Sequence, residues 1–553
     1  MKQDFFNKRR AGILLHPTSL PGTHGNGDLG TDAYRFVDFL ADCDVSLWQM
    51  LPLGAPHEDL SPYQCQSVHA ANPLLINLER LVEKGWLTSA TEESLEDELK
   101  LLAEQGFFTD ATERELEQRL EHSVFRDIFC PPYEGDYRQA RLKAARAGFV
   151  KNASADDRAA FAEFVSTQAD WLEDYGLFRA LQAEHVKVIK AEVLKALKEI
   201  ENHEALEARL LELKNVLGWW GWAPELRDRH PQALDEARRR LADVVEQHRF
   251  EQFVFFSQWQ ALKKYAHEKG VYIFGDIPIF VAEDSVDVWA NRENFLLDAQ
   301  GRPTVVAGVP PDYFSATGQR WGNPHYNWNY MQANGFRWWR ERLKSAQVLF
   351  DVARIDHFRG FEASWAIPAH CETAIEGEWM KVPGDALFEN LQDIDLPLVA
   401  EDLGIITDEV RALRDKFNLP GMKILQFAFD SGPENPYLPH NYVEHCVVYT
   451  GTHDNNTSLG WFQEIPEHVR YSVCECLQAA PHEMPWALIE AAFKSRARWA
   501  IVPMQDVLAL DGKHRMNVPG VERGNWRWRF EWSQLPPGLN DKLRHFCHSY
   551  GRV

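Results

Sequence analysis

Three apolar segments of the chain run directly into acidic residues. They end at Asp356, at Glu401 and at the pair His453-Asp454. Short apolar runs of this kind predict strands that are buried on both faces, as in parallel sheets. Because the carboxyl ends of parallel strands meet at one edge, we expect the three acids to lie close together.

Arg354 lies two residues before Asp356, in a strand that the sequence predicts from Val348 to Ile355. Side chains two residues apart on a strand leave the same face, so the guanidinium group should lie beside the carboxylate. A neighbouring cation favours the ionised carboxylate, which a nucleophile or an electrostatic stabiliser requires. A single Arg-x-Asp is more often a structural ion pair, and the two further acidic strand ends favour chemistry here.

Glu401 has Asp402 next to it in sequence and no adjacent cation, so it should hold a proton more readily than Asp356. Cleavage of a glycosidic bond needs this pairing. One carboxyl group donates a proton to the leaving oxygen, and the other attacks or stabilises the oxocarbenium-like centre. The residues therefore predict acid, base and nucleophilic chemistry on an acetal, with Asp356 as nucleophile and Glu401 as acid.

The composition excludes several other functions. The net charge of -23 would repel a phosphate backbone, so nucleic acid is not expected as a partner. No run of 18 apolar residues and no signal-peptide core occurs, so we expect no membrane span and a cytoplasmic location. The 20 Trp and 32 Phe offer faces on which sugar rings can stack, which favours a carbohydrate ligand.

Neither a metal nor a cofactor is expected. The eight cysteines show no paired spacing and predict reduced thiols, and no cluster with metal-ligand spacing occurs. A Gly-x-Gly-x-x-Gly pattern is present at Gly25, Gly27 and Gly30. A dinucleotide fingerprint follows its strand in a tight turn, whereas this pattern begins after a long loop. We therefore expect these glycines to shape a loop.

Eight apolar segments begin near residues 12, 46, 271, 348, 396, 422, 446 and 499. The sequence predicts helical segments between each of them and the next. This alternation predicts an α/β fold, a (β/α)8 TIM barrel with the chemistry at the carboxyl-terminal strand ends. Asp276, at the end of the third strand, would be a fourth acid at that face.

The segments divide the chain into three predicted parts. Residues 1–76 form the first part of the barrel, residues 77–250 a mainly helical insertion between the second and third strands, and residues 251–553 the rest of the barrel. Loop insertions should cover the carboxyl-terminal face. Residues 308–324 predict such an active-site loop without regular structure, with Gly308 and Gly318 as hinges.

The acidic motifs also carry a resemblance. Arg354-Ile-Asp-His357, Glu401-Asp-Leu-Gly404 and Gly451-Thr-His-Asp454 resemble the catalytic motifs of the α-amylase superfamily. The chain is most similar to the 4-α-glucanotransferases called amylomaltase or disproportionating enzyme, glycoside hydrolase family 77. Further matching segments lie between about residues 11 and 530, at His16–Gly22, Ser61–Tyr63, Phe274–Val281, Pro310–Ser315, Trp321–Pro324, Gln426–Asp430 and Arg515–Gly520.

The resemblance implies a role for each matching residue. Asp356 would form a covalent glucosyl intermediate, Glu401 would act as general acid and base, and Asp454 would grip and distort the sugar. Arg354 and His453 would be supporting donors of Asp454. The resemblance further implies residues that hold donor and acceptor glucan, namely Tyr63, Asp276, Tyr313, Phe314, Trp321 and Asn517.

The implied activity is transfer of a segment of an α-1,4-glucan to the 4-OH of another glucan or of glucose. Malto-oligosaccharides and α-1,4-glucans are the expected partners, and the protein is expected to be a monomer or homodimer. Asp276 is followed by Ile-Pro-Ile-Phe where amylases have Asn-His, which argues against the calcium of common amylases. A hydrolytic α-amylase-type glucanase remains the alternative within the class. A non-catalytic glycan-binding protein is the alternative outside it, and the presence of all three acids argues against that.

Overall fold

The computed structural model describes residues 2–22, 26–89, 125, 133–312, 315–521 and 523–553. Its strands are short, and six of the twelve are buried along their whole length. In chain order they are β1 (Arg10–Leu14), β2 (Leu47–Gln49), β3 (Tyr272–Ile277), β4 (Val305–Val309), β5 (Gln319–Pro324), β6 (Val352–Ile355), β7 (Ala363–Pro368), β8 (Glu378–Lys381), β9 (Leu398–Ala400), β10 (Gly421–Ile424), β11 (Cys446–Tyr449) and β12 (Trp499–Pro503).

Eight of these strands form one parallel sheet in the order β10-β11-β12-β1-β2-β3-β6-β9. The two outer strands of that order approach each other, since the backbone N–H of Ala400 donates to the carbonyl oxygen of Pro420 at 2.9 Å. The sheet therefore closes on itself as a barrel, and the predicted (β/α)8 fold is confirmed. Its interior is filled by inward side chains such as Leu14, Phe274 and Tyr449, so the barrel is a packed core.

Helices connect the strands and cover the outside of the barrel. They are Lys2–Asn7, Thr31–Asp42, Glu79–Glu83, Tyr133–Asn152, Ala155–Thr167, Ala169–Glu199, His203–Asn215, Pro224–Arg227, Pro231–Arg240, Ala242–Glu268, Val286–Ala290, Trp328–Ala333, Arg337–Leu349, Gly384–Asn390, Asp408–Lys416, Ser458–Glu464, Glu467–Leu477, Trp486–Lys494, Met504–Val507 and Leu539–Ser549.

The part of the chain described between residues 79 and 268 is mainly helical, as the sequence predicts for the insertion. Ile189, Val193 and Leu197 of helix Ala169–Glu199 pack against Leu206 and Leu213 of the next helix, so the helical spacing of these residues is confirmed. The division into parts at residues 76 and 250 stays a prediction. The helix Ala242–Glu268 crosses the second of these positions and packs against the barrel.

Two connections differ from the expected pattern. The segment from Val348 does not begin a strand, because helix Arg337–Leu349 continues through it and β6 begins at Val352. No α-helix joins β10 to β11, since residues 425–445 contain only short 3-10 turns. Proline provides the reason, because Pro433, Pro436 and Pro439 lack the N–H groups that a helix would use.

A second sheet lies between β3 and β9 and was not predicted. It is antiparallel, with the order β5-β4-β7-β8. Within the segment 308–324, predicted to lack regular structure, residues 308–309 belong to β4 and residues 319–324 to β5, and residues 310–318 connect the two strands. Gly308 is no hinge, because it lies within β4 and a Cβ there would come 2.1 Å from the carbonyl oxygen of Gln319.

Three further properties concern the described residues alone. None of the helices placed there is long and apolar enough to cross a membrane. Seven of the eight cysteines have a described side chain, and all seven are free thiols. No group of three or more His, Cys, Asp or Glu in the described part of the chain could hold a metal ion.

Candidate active site

The acidic residues lie at the carboxyl-terminal face of the barrel. Asp276 belongs to β3, Asp356 follows β6 directly, Glu401 follows β9 directly and Asp454 lies in the loop after β11. Asp356, Glu401 and Asp454 line one continuous cleft of about 3530 Å³. The topology thus brings together residues that are up to about 180 positions apart in the chain, as parallel strands of a barrel do.

Arg354 connects two of these carboxylates. Its Nη1 donates to Asp276 Oδ1 at 2.9 Å and to Oδ2 at 2.7 Å, while its Nη2 lies 2.8 Å from Asp356 Oδ1. Arg354 and Asp276 are direct neighbours in the pairing of β3 with β6. The sequence predicts the contact with Asp356 but not the one with Asp276, because the register between two strands cannot be read from either strand alone.

Asp356 and Asp276 differ in their access to a ligand. The Asp276 side chain is buried, whereas the Asp356 side chain is 30% exposed and opens into the cleft. Burial raises the pKa of Asp276, and the Arg354 guanidinium opposes this. Tyr63 also donates from its hydroxyl to Asp276 Oδ2 at 2.8 Å. Asp276 therefore serves to hold Arg354 and Tyr63, and Asp356 is the carboxylate of this pair that a substrate can reach.

Glu401 is held by two backbone donors. The N–H of His357 donates to Oε2 at 2.7 Å, and the N–H of Leu403 donates to Oε1 at 2.9 Å. His357 adopts a left-handed backbone with φ of 48°, which is uncommon for a non-glycine residue and is a form of strain that recurs at functional sites. Since His357 follows Asp356 in the chain, this hydrogen bond fixes the two carboxyl groups relative to each other.

The environment of Glu401 favours its protonated form. Burial and the negative charge of Asp356 raise the pKa of Glu401, and Arg354 lowers it, so that the pKa is about 7. The sequence predicts that Glu401 holds a proton readily, but it does not predict that Arg354 lies close enough to act on Glu401. Asp402, the next residue, does not line the cleft. Its side chain pairs with Arg414 and accepts a hydrogen bond from the Met422 N–H at 2.7 Å.

Asp454 is the most exposed of the three cleft acids, with a side chain 47% exposed. Asn517 Nδ2 donates to its Oδ1 at 2.7 Å, and His453 Nε2 lies 3.4 Å from its Oδ2. Arg354, which the resemblance implies as a supporting donor of Asp454, instead pairs with Asp276 and Asp356. Arg515 takes the supporting place, since its Nη2 donates to the Asp454 carbonyl oxygen at 3.0 Å and its Nε to the Asn517 carbonyl oxygen at 3.2 Å.

Three rings form a cluster beside these acids, and two of them are stacked. Tyr63 and His453 are parallel within 18° at a centroid distance of 5.2 Å, and Trp526 lies 5.9 Å from His453 and 6.1 Å from Tyr63. Burial lowers the pKa of His453, which keeps its ring neutral. Trp526 has a left-handed φ of 64°. Trp526 is not among the residues predicted from the sequence to bind the substrate. The preceding Gly524-Asn525 is the sequence signal that could have indicated a tight turn here.

The remaining predicted binding residues lie in the 308–324 hairpin. Trp321 is in β5, lines the cleft and meets the His357 ring edge to face at 4.9 Å. Tyr313 and Phe314 lie outside the residues that the structure describes. The hairpin therefore contributes Trp321 to one wall of the cleft, next to the residue that bonds Glu401.

This arrangement can perform acid, base and nucleophilic catalysis. It combines one reachable carboxylate paired with Arg354, one carboxyl group with a raised pKa, and a third acid with a hydrogen-bonded amide partner. That set of groups matches what cleavage of an acetal requires. The cleft is several times larger than a site for one small molecule, so it can take an extended chain.

Comparison with known proteins points to one family. The family model described as 4-alpha-glucanotransferase matches residues 15–534. The 4-alpha-glucanotransferase of Thermus thermophilus is 45% identical over 555 residues, which cover 99% of either chain. That of Synechocystis sp. is 45% identical over 561 residues, covering 99% of this chain and 98% of the other. A solved amylomaltase from Streptococcus agalactiae, in complex with acarbose, superposes with a TM-score of 0.82 at 32% identity, covering 99% of this chain and all of the other.

Proposed function

Because the chain belongs to the 4-alpha-glucanotransferase family, we propose that Asp356, Glu401 and Asp454 carry out the transfer of α-1,4-glucan segments in the cleft. The protein is a transferase acting on α-1,4-glucans. It moves part of one glucan to an acceptor glucan or glucose through a retaining mechanism, as the family implies.

The first step forms a glycosyl ester on Asp356. The carboxylate attacks C1 of the glucose unit at the bond to be cleaved, and the bond between C1 and the leaving oxygen breaks. Glu401 gives its proton to that oxygen, so the rest of the donor leaves as a neutral alcohol. The raised pKa of Glu401 supports this role, because a sizeable fraction of it is protonated near neutral pH.

The second step reverses the proton transfer. Glu401, now ionised, takes the proton from the 4-OH of the acceptor glucan, whose oxygen attacks C1 of the ester. The bond between C1 and Asp356 breaks, and the carboxylate is restored beside Arg354. Two displacements at C1 retain the α configuration, so the product carries the same linkage as the donor.

The remaining polar groups support the sugar at the reacting centre. Asp454 and Asn517 form a hydrogen-bonded pair at the cleft surface, which suits binding of neighbouring sugar hydroxyls. Arg515 fixes the backbone of both residues, and the Tyr63 and His453 rings form an adjoining wall. Catalysis by a positioned group depends on such preorganisation, because small displacements from the reactive geometry are costly.

The observation that carries the proposal is the shared guanidinium of Arg354. It places a permanent positive charge against Asp356, while burial raises the pKa of the neighbouring Glu401, so one carboxyl group is placed to attack and the other to donate a proton. That division of roles is the one that a double displacement needs. A glycan-binding protein without activity would have no use for it.

Incubation with maltotriose tests the proposed function. Each transfer makes one bond for each bond broken, so the protein should release glucose and longer malto-oligosaccharides while total reducing ends stay nearly constant. Asp356→Ala serves as the control for background activity. A rise in reducing ends that matches glucose release would show a hydrolytic glucanase instead.

Two properties remain predictions from the sequence. They are the cytoplasmic location and the oligomeric state, expected to be a monomer or homodimer. Malto-oligosaccharides as the preferred partners rest on the family and on the dimensions of the cleft.

A further inference from the structure

Trp379 is an exposed tryptophan in a position that the proposed catalytic mechanism does not use. It lies in β8, the edge strand of the antiparallel sheet, and is 40% exposed. It lines the same continuous cleft as Asp356 and Glu401. Large aromatic side chains bury much surface when they bind a ligand, so an exposed one in a cleft is a candidate ligand contact.

The Trp379 ring is held in a fixed position. The guanidinium carbon of Arg359 lies 4.1 Å from the ring centroid, and Trp365 meets the ring edge to face at 5.3 Å. These contacts support the indole from one face and one side. A ring that is already positioned loses little conformational freedom when a ligand binds, which favours binding.

Arg359 also connects Trp379 to the catalytic loops. It lies three residues after Asp356, in the turn Phe358–Phe361, and its Nη1 donates to the carbonyl oxygen of Ile405 at 2.7 Å. Ile405 itself lies four residues after Glu401. The position of the Trp379 ring therefore depends on the two loops that carry the proposed nucleophile and the proposed acid.

Ile405 adds a second apolar surface. Its side chain is 74% exposed and lines the same cleft. Arg359 contacts both the ring of Trp379 and the backbone of Ile405. Together the three residues form a patch that offers a ligand two apolar side chains and one group that can donate hydrogen bonds. A glucose ring has apolar C–H faces and a rim of hydroxyls, so its chemistry matches both parts of this patch.

We propose that Trp379, with Ile405 beside it and Arg359 behind it, forms an outlying subsite for a glucose unit of a long α-1,4-glucan. The inference rests on the proposed function, since the cleft must hold a glucan. The occupant is a glucan because the patch is continuous with the cleft of the catalytic acids. Trp379 contacts Arg359 and Trp365 and is not among the groups that hold Asp356 and Glu401, so the proposal places this unit outside the reacting centre, where only longer substrates reach it.

The test compares substrates of different length in Trp379→Ala. The variant should keep kcat/KM for maltotriose within about twofold of wild type and lower kcat/KM for a long malto-oligosaccharide about fivefold to tenfold, the size of a well-packed aromatic contact. The bonds cleaved first in end-labelled maltoheptaose should shift, because one position that fixes the register is lost. Trp379→Phe should fall between the two.

Tyr471→Ala is the matched control, since Tyr471 is an exposed aromatic that does not line the described cleft. It should change neither the length dependence nor the cleavage pattern. Equal loss on short and long substrates in Trp379→Ala, or no loss on either, would overturn the subsite. Failure of wild type to disproportionate maltotriose would instead overturn the proposed function, so the two failures are distinguishable.

Discussion

Arg354 lies with Nη2 2.8 Å from Asp356 Oδ1, while the Nη1 of the same guanidinium donates to both oxygens of Asp276. One buried side chain thus places a positive charge against the proposed nucleophile and fixes its position. A lysine cannot reproduce this geometry, because its ammonium group is a point charge without a planar fork.

We therefore expect Arg354→Lys to lower kcat on maltotriose by at least about a hundredfold, since one ammonium group cannot hold Asp276 and orient Asp356 at the same time. Melting curves and circular dichroism check that the fold persists. Arg411→Lys, which changes an exposed pair with Asp408, should leave kcat unchanged. Near-normal kcat in Arg354→Lys would show that the shared guanidinium is not needed.

The pH dependence should follow Glu401. Its pKa is raised to about 7, and formation of the ester needs its protonated form. For maltotriose, kcat/KM should therefore fall as the pH rises through about 7. With a maltosyl fluoride donor the leaving group needs no proton, so the fall in ester formation should disappear. Titration of His357 cannot explain this fall in kcat/KM, because burial lowers its pKa to about 4. The same fall with both donors would contradict the assignment of Glu401 as acid.

Several features of the fold could be predicted because each depends on local pattern. The barrel strands are buried on both faces and read as continuous apolar runs, so all eight are found close to their predicted positions. Asp356, Glu401 and Asp454 meet at one face because parallel strands deliver their carboxyl ends there. The pairing of Arg354 with Asp356 follows from their spacing within one strand.

Other features depend on contacts that no local pattern contains. The antiparallel sheet was missed because its strands hold glycine and proline and pair over long distances, as β4 does with β7. The support of Asp454 by Arg515 arises from the meeting of two loops, and so does the contact of the Trp526 ring with His453 and Tyr63. Such arrangements are set by the tertiary structure.

The tip of the hairpin between β4 and β5 stays a predicted lid. Its described part is held by Ser315 and Gly318, and the Ala374 N–H donates to the Thr317 carbonyl oxygen at 3.0 Å. If the tip excludes water from the ester, replacing Tyr313 and Phe314 with Ala should raise the ratio of hydrolysis to transfer more than it lowers total bond cleavage. Glucose release and reducing ends measured together give this ratio, and an unchanged ratio would show that the tip only binds substrate.

Removal of metal ions should be harmless. The described residues hold no cluster of metal ligands, and Asp276 is engaged by Arg354 and Tyr63. Treatment with EDTA should therefore change neither the rate of disproportionation nor the melting temperature. Loss of activity that calcium restores would contradict this expectation.

The central claim is that transfer passes through an ester on Asp356, and trapping that ester tests it most directly. In Glu401→Gln, a maltosyl fluoride donor can still form the ester without an acid, whereas its breakdown lacks the base, so the ester should accumulate. Intact mass spectrometry should show one added maltosyl group, and proteolytic peptides should place it on Asp356. Attachment to another residue, or steady turnover with no ester detected, would contradict the account.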